Sequence, residues 1–326
     1  NNYFLLFLGT FFFTFLTQNT QAHAAGTPKS GTLGDSLSKL VYAVQDIPAL
    51  IAGIAYLAGV VLTFLAVLKF KEHVEAPQQI SIWEPVKRLV AGGALFALPM
   101  VTEAAMTAIS GGGFFGSTLT GVSGTNFTGK TSAGGGLDTM IVDLMANVWG
   151  PMHNVLSAFS YLVGLVFVVV AIMRLLKSSQ EGARGPGGIG TIMTLVIAGV
   201  FFSLDKVMGA FSTSMFGTHV VSNGVNFKDK SGTIGLGNVL DAASLGHVQA
   251  VISGVLAFMI IIGWISFIRG FMMLKEYADS GGQSQNASMM AAVTHIFGGA
   301  LLVNLGPLLN VVQQTLGITK YGMLFS

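Results

Sequence analysis

Asp, Glu, Lys and Arg make up 9% of this 326-residue chain, whose mean hydropathy is +0.70, whereas ordinary soluble domains carry about a quarter charged residues. The net charge of +2 leaves no nucleic-acid footprint, and the absence of Cys removes disulfides, thiolate chemistry and thiolate metal sites together. Length alone would allow two soluble domains, but long uncharged runs point to helices that cross a membrane.

Residues 3–16 are apolar and rich in Phe and Leu, and Ala22-His23-Ala24 behind them forms an A-x-A cleavage pattern. Residues 1–24 therefore read as a secretory signal peptide cleaved after Ala24, with an uncleaved anchor helix as the competing reading. The chain begins at Asn1 with neither Met nor a basic leader, so a longer native start is expected. The mature N-terminus then lies outside the cytoplasm, in a polar Gly/Ser-rich stretch over residues 25–46.

Residues 47–68 carry no charge, and about 20 such residues at 1.5 Å rise cross the roughly 30 Å hydrocarbon core. A polar link over residues 69–88 and a second apolar run over residues 89–109, broken only by Glu103, complete a transmembrane helical hairpin. The unit recurs over residues 155–216 and 248–316. Tyr56-Leu-Ala-Gly59 corresponds to Tyr161-Leu-Val-Gly164, each followed by a cation, Lys69 or Arg174. In the returning runs Leu89-Val-Ala-Gly-Gly-Ala-Leu-Phe96 lines up with Leu195-Val-Ile-Ala-Gly-Val-Phe-Phe202 and with Ile296-Phe-Gly-Gly-Ala-Leu-Leu302. The expected fold is an all-α membrane protein with six transmembrane helices, arranged as three tandem parallel hairpins after the signal peptide. The repeats occupy residues 25–115, 116–217 and 218–326, the last two opening on a long loop.

The links and their borders are basic, through Lys69, Lys71, Lys87 and Arg88, then Arg174, Lys177 and Arg184, then Arg269 and Lys275. By the positive-inside rule the links are cytoplasmic, and both termini of the mature chain are periplasmic. The long loops are rich in Gly, Ser, Thr and Asn, and each closes on a short amphipathic stretch. In the first, Gly124-Thr-Asn-Phe-Thr-Gly-Lys-Thr131 matches the phosphate-loop pattern, but no apolar strand precedes it and Ser132-Ala-Gly-Gly-Gly136 follows where a helix should begin. The second loop repeats it as Gly224-Val-Asn-Phe-Lys-Asp-Lys-Ser231, with Asp229 where the last Gly would stand, so the match reads as a duplicated structural element. Asp35, Asp138 and Asp241 each stand at the start of an amphipathic stretch, as N-caps of interfacial helices would.

Ionisable side chains at membrane depth are functional candidates because burying them is expensive. Here they are Glu103, Asp205, Arg269 and His295, all near helix ends, with no carboxylate pair recurring at matched depth. His73, His153, His219 and His247 show no recurring metal-ligand spacing, and no Ser/His/Asp grouping has a scaffold to position it. No catalytic residue, metal or cofactor is therefore expected. The small residues say more. Gly59, Gly92, Gly93, Gly164, Gly199, Gly298 and Gly299 would let helices approach closely in lipid, so these positions are the expected packing sites.

Ser30-Gly-Thr-Leu-Gly-Asp35, Tyr56-Leu-Ala-Gly59, Lys69-Phe-Lys-Glu-His73 and Pro77-Gln-Gln-Ile-Ser81 together resemble the small IcmD/DotP-type membrane proteins of type IVB (Dot/Icm and conjugative) secretion systems. The third hairpin, through Phe267-Ile-Arg-Gly-Phe-Met-Met-Leu-Lys-Glu276 and His295-Ile-Phe-Gly-Gly299 leading to Asn304, is similar to the IcmC/DotE members. Those are single hairpins of the bacterial inner membrane, so the resemblance implies a fusion of three. The middle copy departs from the pattern in its link, Gly185-Pro-Gly-Gly-Ile-Gly190. The resemblance implies an accessory inner-membrane component of a secretion or conjugation machine, with no catalytic residues to carry over. Its expected partners are other inner-membrane proteins of the machine, the lipid bilayer and further copies of the chain, with no direct nucleic acid. A small channel or carrier built from repeated hairpins is the alternative.

Overall fold

Hydrocarbon offers backbone N–H and C=O groups no partner, so an uncharged run of membrane length satisfies them within a helix. The computed structural model describes residues 31–44, 47–79, 81–100, 137–181, 189–217, 227–229, 242–281, 288–317 and 323–325. The signal-peptide stretch, Glu103 and the loop over residues 124–131 lie outside them. The described chain is helical: α1 (Leu33–Val44), α2 (Ile47–Glu75), α3 (Trp83–Phe96), α4 (Leu137–Glu181), α5 (Ile189–Phe202), α6 (Leu204–Phe216), α7 (Ala242–Asp279), α8 (Met289–Val303) and α9 (Leu305–Thr315). A short antiparallel ladder joins β1 (Phe227–Asp229) to β2 (Met323–Phe325), with Phe227 opposite Phe325. The second copy of the phosphate-loop-like sequence thus contributes a strand.

Among the described residues three helical stretches are long and apolar enough to cross a membrane: Leu33–Glu75, Thr139–Lys177 and Val251–Asp279. Up to five candidates result if each bent pair counts as one span, because α5 meets α6 at 85° and α8 meets α9 at 82°. Six continuous spans were expected from hydropathy, but the returning arms are interrupted. Helices α3, α5 and α8 have 14, 14 and 15 residues, about 21–23 Å at the usual rise, less than a bilayer core. The interruptions fall at equivalent places, Ala97, Ser203 and Asn304. Pro99 and Pro307 follow two of them, and neither has an N–H to donate to the preceding turn. At the middle break Ser203 Oγ instead donates to the Gly199 carbonyl at 2.7 Å.

The outgoing arms differ from expectation too. The amphipathic stretches before the second and third membrane runs are continuous with them, giving α4 45 residues and α7 38. Pro151 lies inside α4. It has no N–H for the Asn147 carbonyl, and Gly34 of α1 comes so close to that oxygen that any Cβ there would overlap it. In α1 the cap is Thr32 rather than Asp35: Thr32 Oγ1 accepts from Asp35 N at 3.2 Å, and Asp35 Oδ2 accepts from Gly31 N at 3.2 Å.

Each outgoing helix packs on its own returning helix (α2 on α3, α4 on α5, α7 on α8), and α4 sits at the centre, touching α1, α2, α3, α5 and α7. One apolar cluster joins the first hairpin to α4 through Ala55, Leu95, Tyr161 and Leu165. A second joins the middle hairpin to the third through Trp149, Phe201, Trp264 and Phe267.

Candidate functional site

Where solvent is as apolar as the side chains, helices gain by close van der Waals contact, and small residues permit it. The structure repeats one such seam in all three hairpins. A Cβ on Gly59 would stand 2.7 Å from the Gly92 carbonyl oxygen, and one on Gly92 would stand 2.8 Å from Thr63 N. In the third hairpin a Cβ on Gly263 would lie 2.9 Å from Gly299 O, and one on Gly299 would lie 2.6 Å from Phe267 N. The middle seam is looser: Gly164 faces the Ala198 carbonyl, which a Cβ would meet at 3.2 Å. The second member of that pair is Ala rather than Gly, and it is fully buried. About two turns further along each outgoing helix stands another small buried residue, Ala66, Ala171 or Gly270. Tyr56 stacks near Phe96 at 4.5 Å between centroids, and their counterparts Tyr161 and Phe202 lie at 5.4 Å.

Of the seven glycines singled out by sequence, Gly59, Gly92, Gly164 and Gly299 thus face a neighbouring helix. A Cβ at Gly93, Gly199 or Gly298 would meet nothing within 4 Å among the described residues, whose packing does not require glycine there. Those three sit beside the seam position, about 100° around the helix, and point away from it. Gly263 and Gly270 were missed. The third outgoing helix reads Ile260-Ile-Ile-Gly263, without the Tyr that anchors the other two copies; counting from the returning Gly299 would have found its partner.

The polar candidates separate into three places. Arg269 is exposed. His295 is half-buried, with Nδ1 3.1 Å from Ser266 Oγ, which also donates to the His295 carbonyl at 3.2 Å, so the pair ties α7 to α8. Asp205 opens α6 just beyond the middle break. At the third break Asn304 is fully buried; its Nδ2 donates to Ala300 O at 2.8 Å and lies 3.6 Å from Met208 Sδ. Buried His153 donates from Nδ1 to the Trp149 carbonyl at 2.8 Å, and Ser157 and Ser160 continue its helix face inward.

At the link end of the bundle Arg174 of α4 makes two hydrogen bonds to Asp279 of α7, one of them through Nη2 at 3.0 Å. Lys275 Nζ donates to the same carboxylate at 2.7 Å and stands 4.8 Å from the centre of the Phe167 ring. A Cβ on Gly190 would meet the Ala278 carbonyl at 3.0 Å, so the start of α5 is also drawn against the end of α7. This clamp joins the second hairpin to the third. Sequence reading placed Arg174 at the link border; its partner lies a whole repeat away, beyond the reach of local spacing.

Among the described residues no three His, Asp or Glu side chains gather as metal ligands would. The groups that do converge join helix to helix. No protein-family model, curated protein or solved structure matches the chain.

Proposed function

We propose that this protein is a non-catalytic, helix-packing component of the bacterial inner membrane that serves a type IVB secretion or conjugative transfer apparatus. The observation that carries the reading is the seam repeated in three hairpins, Gly59 on Gly92, Gly164 on Ala198 and Gly263 on Gly299, in a chain whose links resemble those of single-hairpin subunits. Six membrane passages, a cleaved leader and periplasmic termini belong to the proposal. The ladder between Phe227–Asp229 and Met323–Phe325 supports it: if α7 crosses away from that side, a bent arm α8–α9 that crosses back puts both strands on one side. Deleting the gene should abolish DNA or effector transfer and leave membrane potential and solute uptake unchanged. Loss of uptake with transfer intact would overturn the reading.

The alternative, a small channel or carrier, draws on the broken returning arms, since interrupted helices beside buried polar groups are where transporters hold their cargo. Asn304 and Asp205 stand at two of the breaks. Purified protein that conducts ions in liposomes, with conduction lost in Asp205→Asn or Asn304→Leu, would favour it.

A further inference from the structure

The two junctions between successive hairpins are one junction used twice. With the seam glycines Gly59, Gly164 and Gly263 aligned, each outgoing helix has a trailing face and a leading face. In the first hairpin the trailing face holds Ile51, Ala55 and Ala58, packed on the leading face of α4 at Tyr161, Leu165 and Ile172. In the second, the counterparts Leu156 and Val163 pack with the counterparts Ile260, Trp264 and Phe271 of α7. The returning arms follow the same rule: Leu95 and Leu98 enter the first junction, and their counterparts Phe201 and Leu204 enter the second.

Among the described residues two faces of this kind have no partner. The trailing face of the third hairpin is Val255, Met259 and Ile262. Met259 is 37% exposed, while its counterparts Ala55 and Ser160 are 3% and 2% exposed inside the junctions. Gly298, where a Cβ meets nothing within 4 Å, is the counterpart of Ala91 and Ile197, both buried. The leading face of the first hairpin includes Phe64 and Val67. Val67 is 57% exposed, against 6% for its counterpart Ile172. None of these residues is charged.

We infer that a second copy of this chain occupies them, docking the leading face of its first hairpin on the trailing face of the third hairpin of its neighbour. Parallel repeats keep one orientation across the membrane, so the added copy continues the series in the bilayer plane. The contact is head-to-tail: the two surfaces differ and complement each other, which produces rings or open chains rather than a symmetric dimer. This inference rests on the repeated junction and on the membrane passages proposed above, and does not depend on the secretion role.

The chain has no cysteine, which makes the test direct. Across the second junction Lys275 lies over Phe167, 4.8 Å from the ring centre. The equivalent positions between copies are Lys71 of one and Ser266 of the other. Chains carrying Lys71→Cys and chains carrying Ser266→Cys are co-expressed, and the membranes are treated with a short bis-maleimide. A conjugate of twice the chain mass is expected from the mixture and from neither variant alone. Phe167→Cys with Lys275→Cys in one chain is the internal control, expected to cross-link without change of mass. Phe258→Cys, exposed on the lipid side of α7, reports random collision. Monomer alone from the mixture, with the internal control cross-linked, would overturn the inference. So would a conjugate from Lys71→Cys alone, or one from Phe258→Cys as strong as that from the mixture. Unmodified chain in nanodiscs should have a mass above that of one copy; a single-copy mass throughout would also refute it.

Discussion

Gly298 and Gly299 are neighbours in sequence, yet a side chain would mean opposite things at the two. At Gly299 the obstacle is the backbone of α7, Phe267 N and Gly263 O, which cannot swing aside as a flexible side chain would. Gly299→Leu should therefore destabilise the folded chain by about 3 kcal/mol, at the upper end of overpacking effects. Gly298→Leu opens into space among the described residues and should stay within about 0.5 kcal/mol, or gain slightly from helix propensity. Reversible unfolding in detergent, followed by helical circular dichroism, checks the pair; equal losses at both would mean the seam is misassigned. Gly92→Leu and Gly93→Leu should split in the same way. A glycine doublet in an apolar run announces close packing, but not which member touches. That choice depends on the rotation of the returning helix about its own axis, and a run that is apolar all round leaves rotation unmarked. The same limit hid Gly34, whose need for glycine comes from a carbonyl freed by Pro151 in another helix.

Hydropathy sums over a window, so it finds membrane runs readily and passes over a bend inside one. Residues 89–109 and 296–316 read as single apolar passages, yet the helices break at Ala97 and Asn304. Pro99 and Pro307 were visible in the sequence and carry the physical reason; Ser203, with no proline behind it, gave no comparable signal. The long outgoing helices were misjudged in the other direction, because an amphipathic stretch joined to an apolar run without an effective breaker continues as helix. How the elements meet was the least legible. Arg174 and Asp279 are brought together by the packing of α7 on α4. Asp279 accepts from Arg174 and from Lys275, so Asp279→Ala leaves two cations facing each other with no anion between them. The loss should be roughly 1–3 kcal/mol, as for hydrogen bonds to charged groups that are only partly exposed. Arg174→Lys keeps the charge but loses the paired donors, and should fall between wild type and Asp279→Ala. Thermal unfolding of the detergent-solubilised protein measures both, and an unchanged midpoint in Asp279→Ala would remove the clamp from any structural role.

Across the whole molecule, one small ladder constrains the topology more than any helix does. Strand β1 belongs to the second long loop and β2 to the chain end, so these two segments share a side of the membrane. On the proposed topology, in which α7 crosses the bilayer, the ladder calls for the broken arm to cross back, since a re-entrant arm would leave β2 on the link side. On that proposed topology the basic links face the cytoplasm by the positive-inside rule. A reporter active only in the cytoplasm should work when fused after Glu75, Gln180 or Gln283, and fail after Ser123, Gly224 or Ser326. Two failures of this prediction can be told apart. If every sign is reversed, the hairpins stand but the chain is inserted the other way up. If Gly224 and Ser326 disagree with each other, the ladder cannot exist in the membrane-inserted protein and α8–α9 dips in and returns. Agreement between Gly224 and Ser326, with Gln283 opposite to both, requires the third interrupted arm to be a true passage, and it then requires the break at Asn304 to lie within the membrane, where neighbouring helices have to shield the backbone groups it releases.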